Sequence, residues 1–373
     1  MKLKRLSIDD LKLNQALPWN VYDASMHLLL CKGYVVTSDS QIEALLERGM
    51  YVGEEEYRKW QAAESQAVEM PFNPFSAIED VQTRLSRMLK DLSKCADFSQ
   101  SVADLSAALQ VVSDKDPDVG VSTILHHDAN RYAVAHMINV AVVADLVGRR
   151  LGWSASERQR AMCAALTMNV AMVDLQHRLN QQREPLSVQQ RQDIHAHPIA
   201  GYEKLQELGV TDADWLHAVR DHHETRTGRG YPRGGNDSSD QAELLRLVDV
   251  YCAKVSRRAY RRAVAPNQAA RELFLEDGQQ GQNPLAAVII KEVGIYPPGS
   301  FVQLASGEVA VVARRGESAN TPVVFALAND RAVPYIDPIK RDTRRSEFKI
   351  VSAVSSETVM VRLNHTKIWG YVD

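Results

Sequence analysis

The chain has 373 residues, more than one ordinary domain holds, so two or three domains are expected. Hydrophobic residues make up 45% and charged residues 24%, which suits a soluble globular protein with a sizeable core. The 44 Lys and Arg against 47 Asp and Glu leave a net charge of -3, and this gives no basis for a general attraction to nucleic acid or anionic lipid.

The N-terminus, MKLKRLSIDDLKL, lacks the apolar core of a secretion signal. No run of about 18 apolar residues appears, so no membrane span is expected. Cys31, Cys95, Cys163 and Cys252 are scattered and form no C-x-x-C pair, as expected of reduced, mostly buried thiols in a cytoplasmic protein. Residues 1–75 read as a small mixed α/β domain. Leu28 to Val36 looks like two short strands around Gly33, and 38–49 reads as a helix with Ile42, Leu45 and Leu46 as its apolar stripe. Asp9-Asp10 precedes no apolar strand, which argues against a phosphoreceiver domain. Met70-Pro71-Phe72-Asn73-Pro74 marks a boundary, because two prolines break regular structure.

From Ser76 the pattern turns helical. Val81, Leu85, Met88, Leu89 and Leu92 recur at three- and four-residue steps and define one amphipathic face. Residues 76–118 read as a helical connector and 119–296 as a helical domain. Helices are expected at 98–113, 129–151, 155–175, 187–207, 212–224, 241–262, 266–275 and 284–293. Asp128 is placed to cap the second of these and Gly152 to end it. Tyr296-Pro297-Pro298-Gly299 closes the block. Residues 297–373 read as a small β-domain, with strands at 301–304, 309–312, 323–327, 348–351 and 359–361 and a hairpin turn at Ser306-Gly307. The fold class is therefore mainly α, with a central helical domain between a mixed N-terminal domain and a β C-terminal one.

Chemistry concentrates in the helical block. His136 lies within a helix, His197 precedes Pro198, and His222-His223-Glu224 ends another helix and leads into Gly228-Arg229-Gly230-Tyr231-Pro232. Asp249 sits in Leu247-Val248-Asp249-Val250, where its neighbours are apolar. A buried carboxylate there needs a partner, and a metal or a histidine would supply one. Imidazole suits zinc, iron, nickel and copper. The alternative is a closed polar network in which these side chains satisfy one another, with Asn169 as an amide partner. His126, His127, His177, His195, His217 and His365 read as packed or surface residues. Trp215, Leu216 and Val219 read as core.

These motifs carry a resemblance. The segment from about 120 to 297 resembles the HD-GYP domains, a branch of the HD phosphohydrolases. It does so through His136-Met-Ile-Asn-Val-Ala, His197-Pro198, His222-His223-Glu224, Gly228-Arg-Gly230-Tyr231-Pro232, Val248-Asp249-Val250-Tyr251 and Arg258-Ala-Tyr-Arg261. The resemblance implies a helical domain that hydrolyses cyclic di-GMP at a site of two or three metals, iron or manganese. Metal-ligand positions match at His136, His197, His222, His223 and Asp249. The His-Asp pair that gives the family its name is replaced by Met168-Asn169. The lysine expected three residues later is Met172, and an acidic ligand expected four residues before His136 is Tyr132.

The chemistry of these replacements is severe. The family's Asp bridges two cations as an anion, whereas Asn169 offers one neutral carbonyl. Met168 offers a thioether, which suits copper(I) rather than iron(II), manganese(II) or magnesium. A two-metal centre makes a hydroxide nucleophile and clamps phosphate oxygens, and both tasks need the bridge. The expected catalytic set is therefore empty. The remaining ligands suffice for at most one transition metal (Fe, Mn, Zn or Ni), with no cofactor as the default.

Arg258 and Arg261 match the family's phosphate-holding positions, and guanidinium forks suit phosphate. A solvated basic helix end is the alternative. Gly228, Arg229, Gly230, Tyr231 and Pro232 should form an exposed, shaped loop, which the resemblance assigns to protein contacts, often with diguanylate cyclase domains. The expected function is a catalytically impaired HD-GYP-like signalling protein in cyclic di-GMP signalling. It would act through protein contacts and nucleotide binding, with a homodimer as the default assembly. The alternative is an active phosphodiesterase with a reduced metal site.

Overall fold

A computed structural model describes residues 3–6, 17–36, 49–65, 72–126, 131–256, 263–278, 284–359 and 361–371. The chain divides into two compact units, Met1–Phe72 and Asn73–Asp373. In the first, strands β1 (Leu3–Arg5), β2 (Val21–Tyr22), β3 (Leu28–Leu30) and β4 (Tyr51–Gly53) form an antiparallel sheet in the order β1-β4-β2-β3. Helix α1 (Glu54–Ser65) follows directly. Trp19, Val21, Met50, Val52 and Tyr57 fill the core. The turn at Gly33 needs its positive φ of 89°. The helix expected at 38–49 lies, except for Gly49, outside the described residues.

The second unit opens with α2 (Pro74–Lys90). Asn73 caps it, its side chain accepting from Phe75 N at 3.0 Å, and Pro74 stands at the first helical position, where a missing N–H costs nothing. Helices α3 (Phe98–Lys115), α4 (Pro117–Ser122), α5 (Tyr132–Arg150), α6 (Ala155–Thr167), α7 (Val173–Gln181), α8 (Val188–Glu207), α9 (Ala213–Asp221), α10 (Asp240–Val255), α11 (Pro266–Gly278) and α12 (Pro284–Val293) build the block. α5 is its centre: every residue from Tyr132 to Gly148 is buried. It is long and apolar enough by composition to cross a membrane, a feature the sequence reading missed, but α2, α3, α6, α10 and α12 pack around it. Gly152, with φ of 79°, ends it as expected. Asp128 lies outside the described residues.

One expected helix is two. The 155–175 pattern breaks after Thr167, where Val170 N bonds to Thr167 O and Met172 N to Asn169 O in tight turns. The chain resumes as α7. Thr167 Oγ1 accepts the Trp215 indole N–H at 2.8 Å, which ties this break to α9.

The C-terminal strands β5 (Phe301–Leu304), β6 (Val309–Arg314), β7 (Val323–Ala328), β8 (Pro334–Asp342) and β9 (Ile350–Val354) form an antiparallel sheet in the order β8-β7-β6-β5-β9. Val359 and Val361 are not strand residues, and the strand expected at 348–351 starts at Ile350. β8, which carries Pro334 and Pro338, was not anticipated. It is an edge strand, where proline is tolerated. One face of the sheet packs Val311, Ala313 and Leu327 with Val119 of α4 and Ile368 and Trp369 of a short helix α13 (His365–Trp369). Charge reinforces that junction. Asp116, buried ahead of α4, bonds to Arg314 and accepts from Tyr371 Oη at 2.7 Å, while Arg315 Nε reaches Asp118 at 2.5 Å. The expectation of a mainly helical centre between two small sheets is borne out.

Candidate functional site

The site is built from helix ends. Pro198 sits inside α8 and has no N–H, so the carbonyl of Ile194, four residues back, lacks its helical donor. His197 Nδ1 lies 2.6 Å from that oxygen. At the end of α9 the carbonyl of Val219 is one of the last-turn acceptors left over by the helix, and His222 Nδ1 lies 2.6 Å from it. A carbonyl can only accept, so both Nδ1 atoms carry the proton. Both Nε2 atoms are thereby lone pairs, and they face each other at 3.1 Å.

Two lone pairs that close need a cation between or beside them. Protonation is a poor source. Burial, then the neighbouring His222, pushes His197 down to about 3. Burial also lowers His222, and burial with His222 holds His223 well below the usual imidazole range. The ligand atoms of His197, His222 and His223 lie within 4.8 Å of one another. Neutral imidazoles with tautomers fixed by backbone carbonyls are the donor set a transition metal requires. These residues fit a metal, which would supply Lewis acidity at this point.

His136 and Asp249 form a separate pair, His136 Nε2 to Asp249 Oδ1 at 2.6 Å. Burial would raise the Asp249 carboxyl, but the hydrogen bond from His136 and the surrounding imidazoles hold it well below the usual range. His136 Nδ1 is buried and has no hydrogen-bond partner among the described residues. So the five expected ligands gather, three as convergent nitrogens and two as a hydrogen-bonded pair.

Residues 112–281 match the sequence model of a family described as HD domain. Residues 112–281 of the helical block belong to the HD superfamily. Over 242 residues the chain is 26% identical to a cyclic di-GMP phosphodiesterase of Pseudomonas aeruginosa, covering 64% of this chain and 57% of that protein. Over 175 residues it is 25% identical to the 3'3'-cGAMP-specific phosphodiesterase 3 of Vibrio cholerae, covering 46% of this chain and 38% of that protein. The chain thus spans little more than half, or less, of these curated relatives. A solved HDG"Y"P protein from Bdellovibrio bacteriovorus aligns at a TM-score of 0.48 and 17% identity, covering 77% of this chain and 97% of that one.

Within the HD domain, Met168 and Asn169 occupy the turn between α6 and α7, and both are buried. That turn packs near Gly201 of α8 and Val219 of α9, the helices that carry or lead into the histidines. A Cβ added to Gly201, one turn after His197, would sit 3.7 Å from the Met168 carbonyl oxygen and 3.4 Å from Val219 Cγ1. Met168 presents no charge there. The Asn169 side chain makes no hydrogen bond among the described residues. Tyr132, in place of an acidic ligand, stacks its ring on His136 with centroids 5.4 Å apart. Met172 is half-buried at the start of α7.

The Gly228–Pro232 loop is shaped against the site. Arg229 is exposed, but the Tyr231 ring stacks between His195 at 4.4 Å and His223 at 4.5 Å. The expected exposed aromatic is therefore half-buried against a ligand ring. Gly228 has φ of 69°, whereas Gly230 is glycine for lack of room: a Cβ would lie 2.5 Å from Glu224 Cα and 2.6 Å from Thr225 N, and closer still to His223 O. Glu224 is fully buried, and its Oε1 accepts from Arg233 N at 2.6 Å and Gly234 N at 3.1 Å, tying the loop down. Arg258 and Arg261 lie outside the described residues.

Sequence reasoning missed Arg246; His195, read as packed or surface, is exposed and stacks on Tyr231. Arg246, three residues before Asp249 on α10, adds a positive charge that disfavours protonation of His223. The i, i+3 spacing was the available signal. Glu224, expected only as part of a motif, is the anchor of the loop.

Proposed function

We propose that this chain is a cyclic-dinucleotide signalling protein whose HD domain is catalytically impaired. Its curated relatives are phosphodiesterases of cyclic di-GMP and 3'3'-cGAMP, which supports a cyclic dinucleotide, cyclic di-GMP first, as the ligand. One observation carries the impairment: the turn packed near Gly201 and Val219, on the helices that carry or lead into the three histidines, holds Met168 and Asn169, so no carboxylate stands there to bridge two cations. The cluster supports one transition metal. Arg258 and Arg261 are assigned to the ligand's phosphates. The loop at Arg229 and Tyr231 is assigned to partner proteins, a diguanylate cyclase domain or a second copy. The unpaired cysteines support a cytoplasmic location.

The deciding experiment measures metal content and cyclic di-GMP turnover on one preparation. About one equivalent of metal, with nucleotide bound but uncleaved, is expected. Two equivalents of iron or manganese with turnover to pGpG would overturn the proposal.

A second reading is a phosphodiesterase that works with one metal. The convergence of His197, His222 and His223 close to an ionised Asp249 supports it. Product formation abolished by His223→Ala, at one metal per chain, would favour it over the first.

A further inference from the structure

Away from the histidines, α2 and α3 enclose a cleft of about 610 Å³. Arg84, Arg87, Lys90 and Lys94 line it, and Met88 and Leu105 give it an apolar floor. Arg84 pairs with Asp80 at 3.3 Å, outside the cleft, and Lys94 with Asp91 at 2.9 Å. The cleft's two carboxylates are both engaged, Asp91 by Lys94 and Ser93, Asp104 by Gln100. Arg87 and Lys90 have no carboxylate partner among the described residues. Arg84, Arg87, Lys90 and Lys94 against Asp80, Asp91 and Asp104 leave an excess of one positive charge, on a chain whose net charge is -3.

We propose that this cleft docks an acidic, amphipathic segment of a partner protein. Carboxylates on the segment meet Arg87 and Lys90, and an apolar side chain lies on Met88 and Leu105. Charge complementarity selects the acidic partner, since the unpaired cations repel basic segments and suppress them as competitors. Size and floor select a peptide segment over a lone anion, because the volume is that of a site for a sizeable ligand and its base is hydrocarbon. A purely local role is the competing explanation: Arg87 and Lys90 lie in the last turn of α2, where cations offset the helix dipole. That role changes stability and leaves binding untouched.

The test uses the full chain carrying Cys31→Ser and a fluorescein-labelled peptide, Glu-Glu-Leu-Glu-Glu-Leu-Glu-Glu. Saturable binding by fluorescence anisotropy at low salt is expected, weakened at least about tenfold by Arg87→Glu with Lys90→Glu. Lys90→Gln alone, a milder change at an exposed site, should weaken it about two- to threefold with an unchanged thermal midpoint. Cys95, half-buried at the cleft with its thiol 3.3 Å from Ser101 Oγ, reports occupancy. Its alkylation by iodoacetamide should slow when the acidic peptide is bound. Equal binding by wild type and the variants overturns the proposal. So does equal binding of the Lys-for-Glu peptide, or binding of an oligouridylate but not the acidic peptide. Self-association that the same variants abolish, without peptide binding, assigns the cleft to a second copy and also overturns it.

Discussion

His197 Nε2 and His222 Nε2 stand 3.1 Å apart with no proton to share, because each ring has already given its Nδ1–H to a backbone carbonyl. The geometry opposes itself until a cation arrives. A transition metal should therefore stabilise the protein as well as bind it. At free metal 100 times the dissociation constant, binding adds about 2.7 kcal/mol. Thermal unfolding with and without zinc or manganese checks this, and His222→Ala should erase the shift.

Restoring the missing pair should restore the second cation. Met168→His combined with Asn169→Asp is expected to raise metal content from about one to about two per chain, with turnover of cyclic di-GMP rising about a hundredfold or more. Metal analysis and chromatography of the product decide it. A double variant that still binds one metal would mean that the α6–α7 turn is too far from the histidines to share a ligand.

Acid should destabilise the metal-free protein early. His197 titrates at about 3 when folded and near 6.5 when unfolded, and His222 and His223 are lowered in the same direction. The unfolded chain therefore takes up protons that the folded one refuses. Stability is full above pH about 6.5 and falls as pH drops from there towards 3, by up to about 1.4 kcal/mol per pH unit for each such histidine. Urea midpoints between pH 7 and 4 measure the slope. A flat profile would contradict the buried neutral imidazoles.

Gly230→Ala should displace the loop. The new methyl would sit 2.5 Å from Glu224 Cα and 2.6 Å from Thr225 N, backbone that cannot yield cheaply. A loss of about 1–3 kcal/mol is expected. The Tyr231 stack on His223 should be lost with it, and metal affinity should fall. Denaturation and metal titration read the two effects separately.

Glu224→Ala removes the acceptor for Arg233 N and Gly234 N, two part-buried hydrogen bonds worth about 0.5–1.5 kcal/mol each. A Glu224→Gln variant keeps an oxygen acceptor and should lose less. Hydrogen exchange at Arg233 and Gly234 distinguishes loop release from global unfolding.

Much of this architecture was legible in the chain. Three- and four-residue periodicity marked the helices, and glycines such as Gly33, Gly152 and Gly307 marked their ends and turns. The break between α6 and α7 was not legible, because no Gly or Pro stands between Ala155 and Glu184 to announce it. β8 was hidden by its own prolines. At the site, the residue types were plain, but their roles were not. That Ile194 O and Val219 O would fix the imidazole tautomers depends on which carbonyls the helices leave over. His197-Pro198 carried half of that signal. The stacking of Tyr231 on His223 depends on a loop fold set by Glu224 and by the space at Gly230, which no periodicity records.

The junction at Asp116 bears on how such a domain can be moved between proteins. With Val119 packed under the sheet and Asp116 tied to Arg314 and Tyr371, the helices and the strands after them are halves of one object. A graft that carried the histidines into another scaffold without residues 297–373 would bare the apolar face of α4 to water and strip Asp116 of its cation.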